Sequence, residues 1–368
     1  MSSDFSAVPN PTHDLLHAVG DLAPANPFYA LPFVEAKRAS GWEPWVLVER
    51  RDGETLAGCT AFMQSGRLVR TLQIPSIPST RPSEAFWHGL LEFCRSKAVW
   101  NLQISNLASH GVALPQLRGQ TSCHRRFEYI LDLRGDLWAG LSHGHRYSIK
   151  RAQKAGLQLR TATGTGACRE HARLRSDSMA RRKQRGESVP ERIDSGDCEV
   201  YLRTGAGRLF QAVRGDEVLS SYLVLLGRKG AYLQSGGASR TGMACGASQF
   251  LIYETARLLQ RESMESLSLG GAHYDNPGLV TFKLSFGARP VRLETACFCL
   301  AHPVIRKGLS AIRQLREDPL RFLHGFVERL ERFVAYSADP ADLPAPGTLP
   351  NVTFEKLTDD ALKDLPTL

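Results

Sequence analysis

One lysine, Lys283, lies in a stretch of sequence that suits the stabilisation of negative charge. Residues 266–269 before it alternate between polar and apolar side chains, which predicts the end of a β-strand, and two glycines follow. Asp275 or Asn276 can then cap a short helix that has Pro277 at its first position. A lysine on such a helix can reach a cleft above a strand end, where its charge would stabilise an oxyanion or a phosphate. The alternative is a last-turn lysine that only complements the helix dipole.

Other residues that could do chemistry are few. His273 and Asp275, between the strand and the helix, are candidates for a base or for substrate binding, and a surface-loop histidine without a catalytic role is the alternative. His143 and His145 lack further ligands at metal spacing, so no metal site is predicted. The sequence contains neither a G-x-x-x-x-G-K-[ST] nor a G-x-S-x-G segment. We therefore expect neither a nucleoside-triphosphate P-loop nor a hydrolase elbow.

Length and composition predict the broad class of the protein. The 368 residues exceed one ordinary core and suit two domains with extensions. Hydrophobic residues make up 42% and charged residues 23%, as in soluble globular proteins. No apolar run approaches the ~20 residues of a membrane span, and the first ten residues lack the features of a signal peptide. Eight cysteines without a C-x-x-C pair favour reduced thiols, so we expect a cytoplasmic protein.

Positive charge is concentrated in one segment. Between His143 and Arg185 there are twelve Lys and Arg residues and only two acidic residues, whereas the whole chain has a net charge of +9. Such a concentration is typical of a nucleic-acid or phosphate site, and a solvated basic surface is the alternative. Residues 147–155 predict a helix that ends at Gly156. Its bases form the predicted RNA-binding set: Arg146, Lys150, Arg151 and Lys154.

The order of predicted elements occurs twice in the sequence. The first series is a hairpin at 45–63, a helix at 83–97 and a strand at 100–105; the second is a hairpin at 209–226, a helix at 249–261 and a strand at 266–269. The hairpin turns are 163 residues apart and the last strands 165. We therefore predict a duplicated mixed α+β domain that folds as two superimposable sheets flanked by helices.

The duplication predicts the limits of the domains. The N-terminal domain would span 1–140, a basic linker helix 141–165, and the C-terminal domain 166–300. Apolar spacing after Cys299 is helical, which predicts a helical extension with a tail over 301–368.

Three segments resemble the FemABX aminoacyltransferase family. Residues 146–156, Arg-Tyr-Ser-Ile-Lys-Arg-Ala-Gln-Lys-Ala-Gly, are similar to that family's R-x-N-I-R-K-A-x-K-x-G helix, with Ser148 in place of Asn. Residues 278–287, Gly-Leu-Val-Thr-Phe-Lys-Leu-Ser-Phe-Gly, are similar to its G-L-x-x-F-K-x-x-F-G segment. Residues 33–42 resemble its W-x-x-x-K…G-W segment, with Phe33 in place of Trp. The segments span residues ~30 to ~295 in the family's order, and the duplication agrees with it.

The resemblance implies tandem GNAT-type acyltransferase domains and a set of site residues. The lysine of the family's F-K pair lies at the catalytic centre, which points to Lys283 with Phe282 beside it. Contacts to the acceptor would come from Lys37, Tyr232 and one of Arg181, Arg182 or Arg185. No cofactor and no metal is implied.

Three functions remain open. The leading hypothesis is a monomeric enzyme that transfers an amino acid from aminoacyl-tRNA to the amine of a small or peptidoglycan-precursor-like acceptor, and so forms an amide bond. The second is an acyl-CoA-dependent N-acyltransferase of the same fold. The third is a non-catalytic RNA-binding protein on this fold. Ser148, Phe33 and the lack of a long coiled-coil arm depart from the family pattern and leave donor and acceptor open.

Overall fold

The computed structural model describes residues 4–66, 69–109, 112–187, 196–272 and 276–301. The strands are β1 (Asp4–Pro9), β2 (Glu43–Arg51), β3 (Glu54–Ser65), β4 (Arg70–Ile74), β5 (Val99–Ser105), β6 (Gln120–Asp132), β7 (Gln158–Ala162), β8 (Gly207–Arg214), β9 (Glu217–Leu226), β10 (Gly230–Ala238), β11 (Ser266–Ala272) and β12 (Arg289–Cys299). The α-helices are α1 (His13–Asp21), α2 (Leu31–Ala39), α3 (Glu84–Ser96), α4 (His143–Lys154), α5 (Gly164–Gln184), α6 (Gly196–Thr204), α7 (Arg240–Cys245), α8 (Ala247–Arg261) and α9 (Pro277–Leu284), and a 3-10 helix spans Pro27–Tyr29.

All of these strands belong to one sheet. Its order is β1-β2-β3-β4-β5-β12-β6-β11-β10-β9-β8-β7. The prediction of a mixed α+β fold is confirmed, whereas the prediction of two separate sheets was wrong. The halves form one sheet because β6 pairs with β12. A pairing between strands so far apart in the chain cannot be derived from local sequence patterns.

The two halves of the sheet have the same topology. In the first half β1 to β4 pair antiparallel in succession, and β4 then pairs parallel with β5. In the second half β7 to β10 pair antiparallel, and β10 pairs parallel with β11. The repeat inferred from the hairpin and strand spacing is therefore visible in the strand order.

The halves exchange their last strands. β6 follows the first half in the chain but pairs with β11 of the second half, while β12 follows the second half and pairs with β5 of the first. β6 and β12 pair antiparallel with each other along most of their length. Glu128 pairs with Val291 and Glu294 pairs with Arg125, so each of the exchanged strands carries one glutamate within the paired region.

The parallel pairs differ at their ends. Beyond β4 the chain stays joined to the end of β5, because Ile77 N–H donates to the Ser105 carbonyl at 3.0 Å and Leu107 N–H donates to the Pro75 carbonyl at 3.2 Å. β10 and β11 pair only over Gly230–Tyr232 and Ser266–Ser268 and then separate. An opening between parallel strands therefore forms in the second half.

Amphipathic helices cover the sheet. α3 begins after Ser83, whose hydroxyl accepts from Ala85 N–H at 3.1 Å, and it buries Phe86 and Leu90. Its counterpart α8 buries Phe250 and Leu251. α4 begins four residues before the predicted helix, because Ser142 caps it.

Some elements of the structure were not predicted, and one predicted element concerns residues that the structure does not describe. Four strands were not predicted, β1, β4, β7 and β12, and neither were the helices α5, α6 and α7. The expected helical extension over 301–368 lies outside the described residues except for Ala301. Among the described residues, no helix is both long and apolar enough to cross a membrane.

The strand exchange makes a prediction about unfolding. Leu102 on β5 and Leu267 on β11 are equivalent in the repeat, and each is only 1% exposed. A Leu→Ala change at either position should cost about 2–5 kcal/mol. Because each half contains a strand of the other, both variants should lower the midpoint of the same single transition in urea unfolding followed by circular dichroism. Two separate transitions, each sensitive to one variant, would contradict this coupling.

Candidate active site

A cavity of about 700 Å³ opens where β10 and β11 separate. Leu233 and Leu269, the first residues beyond the paired region, line it on the two strands. Residues of α5, α8 and α9 contribute to its walls, together with residues of β9, the end of β10 and α7. The described residues around the cavity all fall between 178 and 283, so the cavity belongs to the second half of the sheet.

Lys283 enters this cavity from α9. The Asn276 side chain caps the helix by accepting from Leu279 N–H at 3.1 Å, and Pro277 occupies its first turn. Lys283 lies in the last turn but is only 6% exposed. Its Nζ donates to the carbonyl oxygens of Gly270 and Gly271, both at 2.8 Å. It is therefore not the solvated helix-end lysine of the alternative interpretation.

A β-bulge in β11 supplies these two carbonyl groups. Ser268 pairs with Ile130 and Gly271 pairs with Glu128, so β11 has one more residue than β6 in this interval. Gly270 has φ +73°, a conformation that glycine adopts without the penalty of a side chain. The bulge interrupts the ladder and turns two consecutive carbonyl groups toward Lys283.

The surroundings of Lys283 shift its proton affinity. Burial lowers the pKa of Lys283 to about 7, although the Glu128 carboxylate acts to raise it and the Arg126 guanidinium lowers it further. The Nζ also lies 5.5 Å from the centre of the Tyr129 ring. The amine therefore changes its protonation state near neutral pH, as a group in acid–base or charge-stabilising chemistry would.

Phe282 holds α9 against α4. Its backbone carbonyl accepts from Nε2 of His145 at 3.0 Å, and its ring centre lies 5.2 Å from that imidazole. Phe286 packs against the same imidazole at 4.4 Å. Burial lowers the pKa of His145, which keeps this ring neutral. No role was predicted for His145, and in the structure it supports the helix that carries Lys283.

Three arginines predicted to bind substrate line the same cavity: Arg181, Arg182 and Arg185. Glu187 binds two of them, through Arg182 Nε at 2.7 Å and Arg185 Nη2 at 2.6 Å. The hydrogen bond from Arg182 keeps the pKa of Glu187 below its ordinary value. Arg181 donates instead to the neutral Ser178 hydroxyl and to the Ala238 carbonyl. Within the described part of the cavity, the arginine charge thus exceeds that of Glu187.

Two other predicted substrate-binding residues are absent from the described lining of this cavity. Lys37 donates to Gln73 at 2.9 Å and lies over the Trp42 ring at 4.8 Å. Tyr232 is buried against Phe28, and burial raises the pKa of its phenol. His273 and Asp275, also predicted to bind substrate, lie outside the described residues.

The predicted RNA-binding residues divide into two kinds. Arg146 is half-buried and donates to the carbonyl groups of Trp138 and Ala139, so its guanidinium contacts the protein itself. The other three, Lys150, Arg151 and Lys154, are exposed on α4. Arg151 lies 5.7 Å from the centre of the Tyr147 ring, which is 62% exposed.

Sequence reasoning missed two residues that hydrogen bonds connect to Lys283 through Gly270, namely Glu128 and Ser268. Both are buried and are joined by a 2.6 Å hydrogen bond. One signal was available, because an acidic residue inside an otherwise apolar strand segment is rarely buried without a partner.

Comparison with known families concerns the part of the chain that contains this cavity. Residues 142–283 match the profile of a family described as acetyltransferase (GNAT) domain. The match begins at the N-cap of α4 and ends at Lys283, so it includes the whole described lining of the cavity. No curated protein matches the chain.

Solved structures share the fold at low sequence identity. FemX gives a TM-score of 0.57 at 12% identity, over 80% of this chain and 97% of that chain. A conserved protein of unknown function from Bacteroides thetaiotaomicron gives 0.50 at 13% identity, over 81% and 100%. A tandem GNAT protein from the clavulanic acid biosynthesis pathway gives 0.48 at 14% identity, over 81% and 99%. The likeness to the first two concerns the fold.

The shifted pKa of Lys283 predicts a pH-dependent stability. The pKa of Lys283 is about 7 in the folded protein, whereas that of an exposed lysine is 10.5. Between these two pH values the unfolded chain binds more protons than the folded one. The contribution of Lys283 to the free energy of unfolding therefore rises with pH across this window. A Lys283→Met variant lacks this term, so its stability relative to the wild type should fall between about pH 7 and about pH 9.5 in urea unfolding. A difference that is equal at both pH values would contradict a buried amine with a lowered pKa.

Proposed function

We propose that the protein is an acyltransferase that moves an amino acid from aminoacyl-tRNA to an amine and forms an amide bond. One observation carries the proposal: a buried lysine with a pKa near neutrality lies in the cavity between β10 and β11, inside the segment that matches the GNAT profile. A GNAT domain implies an acyl donor and an amine acceptor. The likeness of the fold to FemX supports the finer choice of donor, as does the resemblance of two sequence segments to the FemABX family.

The chemistry requires stabilisation of one transient negative charge. The neutral amine attacks the carbonyl carbon of the aminoacyl ester, a C–N bond forms, and the carbonyl oxygen becomes negative. The C–O bond to the ribose then breaks, and the proton lost by the amine ends on the ribose oxygen. A preorganised cation beside the carbonyl oxygen lowers the barrier for this step.

Lys283 is the proposed source of that cation. Two N–H bonds of its ammonium form are fixed by the bulge carbonyls, so the direction of the third is set. In this proposal the third N–H binds the developing oxyanion. Phe282 acts with it by anchoring α9 to His145. Because the ammonium is already in place and buried, little reorganisation is needed during the reaction.

The arginines on α5 are proposed to bind the anionic part of the acceptor. Arg181 suits this role because its guanidinium contacts only neutral groups among its described partners. Arg182 and Arg185 share Glu187 and would contribute when a ligand competes for them. Lys37, Tyr232, His273 and Asp275 stay predictions. The domain limits at residues 140, 165 and 300 also stay proposals.

The exposed side of α4 is the proposed contact for the tRNA. Lys150, Arg151 and Lys154 supply charge for phosphates, and Tyr147 supplies a ring on which a base can stack. α4 packs closely against the junction of α7 and α8, because a side chain at Gly246 would meet the Ser148 carbonyl at 2.6 Å. Ser248 just beyond that junction lines the cavity. A strand bound along α4 is therefore near the cavity.

A second candidate is transfer from acyl-CoA. Ser248 and Gln249 bring the first turn of α8 to the cavity, and α8 has no side-chain cap at its N-terminus. Free N–H groups at a helix N-terminus suit a pyrophosphate. A non-catalytic RNA-binding protein is the remaining alternative, and the buried, hydrogen-bonded Lys283 gives it no support.

A comparison of donors tests the proposal. Bulk tRNA charged with labelled amino acids and, separately, acetyl-CoA are offered with a panel of small primary amines. We expect amide formation from the charged tRNA, with an apparent affinity that falls steeply with salt. A Lys150→Gln/Lys154→Gln variant should lower the slope of log affinity against log salt by about 1–2.

The control for this experiment removes two charges elsewhere. Arg51 and Arg81 are exposed in the first half, and an Arg51→Gln/Arg81→Gln variant should keep the wild-type salt slope. Turnover with acetyl-CoA alone would replace the leading proposal by the second candidate. RNA binding without turnover of either donor would leave only the third.

A further inference from the structure

Glu128 is a buried acid that the proposed chemistry does not use. It lies on the exchanged strand β6, is 1% exposed and pairs with Gly271 at the bulge of β11. Burying a carboxylate is costly unless its oxygens are hydrogen-bonded. Both carboxylate oxygens of Glu128 accept a hydrogen bond: the Ser268 hydroxyl donates to Oε1 at 2.6 Å, and Ala108 N–H donates to Oε2 at 3.2 Å.

A continuous set of hydrogen bonds leads from Glu128 to Lys283. The Ser268 hydroxyl that donates to Glu128 also accepts from Gly270 N–H at 3.1 Å. The Gly270 carbonyl in turn accepts from Nζ of Lys283 at 2.8 Å. Glu128 orients the Ser268 hydroxyl, and this hydroxyl holds the one residue of the bulge that has positive φ.

This connection crosses the sheet. Ser268 pairs with Ile130, which is two residues from Glu128, so Ser268 and Glu128 lie on one face. Tyr129 is adjacent to Glu128 on β6 and therefore points to the opposite face, and its ring lies 5.5 Å from Nζ of Lys283. Glu128 thus acts from behind the strand that holds the lysine, out of reach of direct contact with a ligand on the Tyr129 side.

The connection also involves the first half of the chain. Ala108, which donates to Glu128, follows β5 in the loop that closes the first parallel pair. β6 carries Glu128 to the second half only because of the strand exchange. Any displacement of this loop would change the hydrogen bonding of the acid behind the bulge.

We propose that Glu128 is a positioning residue for Lys283. Through Ser268 it fixes the bulge carbonyls that orient the amine, and through its own charge it favours the protonated amine. The catalytic consequence rests on the function proposed above, whereas the effect on the amine itself does not depend on which reaction the protein performs.

Electrostatics determine the sign of the expected effect. Burial raises the pKa of Glu128, while the hydrogen bonds from Ser268 and Ala108 and the charge of Lys283 lower it. The β6 groups that influence Lys283 are Glu128 and Arg126 through their charges and Tyr129 through its ring, and the arginines of α5 line the same cavity. Among these, Glu128 is the one that raises the pKa of Lys283. Removal of its charge must therefore lower that pKa.

The test measures the protonation of Lys283 directly. The protein is labelled for a short time with fluorodinitrobenzene over a pH series, and mass spectrometry of the peptide that contains Lys283 gives the midpoint of its reactivity. Glu128→Gln, which is isosteric, should move the midpoint to lower pH. Ser268→Ala should move it in the same direction, because Glu128 without its hydroxyl donor is more easily protonated.

The matched control is Glu294→Gln. Glu294 is also buried and lies on the other exchanged strand, β12, where Arg125 and Arg292 bind it. It pairs with Arg125, three residues from Glu128, so the two glutamates lie on opposite faces of the sheet. This variant should lose thermal stability and leave the midpoint of Lys283 unchanged.

Activity provides a second readout. For each pH unit by which the midpoint of Lys283 reactivity falls, turnover of the variant at alkaline pH should fall about tenfold, with a smaller change in KM. A folded Glu128→Gln protein with the wild-type midpoint overturns the proposal, and if that variant does not fold, an unchanged midpoint in Ser268→Ala does so. A shifted midpoint in a protein that transfers no acyl group supports the role of Glu128 and rejects the proposed function.

Discussion

The antiparallel pairing of β6 with β12 is the constraint on which the rest of the structure depends. It joins the two halves into one sheet and gives each half a strand from the other. Because β6 lies beside β11, the bulge at Gly270 forms against a strand that carries Glu128 on one face and Tyr129 on the other. The environment of Lys283 therefore contains groups from both halves of the chain, although the described lining of the cavity comes from the second half alone.

The duplicated halves have diverged at the ends of their parallel strand pairs. In the first half, backbone hydrogen bonds beyond β4 keep the end of the pair closed. In the second half, the strands separate and α5 packs directly on β10, because a side chain at Gly237 would meet the Leu174 carbonyl carbon at 2.4 Å. This close approach brings Arg181 and its neighbours to the cavity wall. The opening is thus found in the second half, and the first half contributes the Ala108 N–H that binds Glu128.

Local sequence patterns were sufficient for some of the repeated elements and insufficient for their assembly. The two hairpins, α3 and α8 follow from alternation, turn residues and capping, all of which act over a few residues. The exchange of β6 and β12 is a choice between distant partners, so it could not be derived from either strand alone. Lys283 was predicted to be a candidate site residue, but its burial was not predicted, since a lysine in a last turn also suits the helix dipole. Glu128 was missed because its connection to Lys283 depends on a hydrogen bond from Ser268, which is 140 residues away in the sequence.

The central claim is that Lys283 acts in the chemical step, and single-turnover kinetics test it most directly. The rate is measured with saturating donor and acceptor for the wild type and Lys283→Ala, with Thr281→Ala on the exposed side of α9 as the control. Loss of an oxyanion-stabilising group should lower the rate ~100- to 1000-fold, while the control keeps the wild-type rate and circular dichroism shows both variants folded. A folded Lys283→Ala protein with a rate within a few-fold of the wild type would contradict the claim.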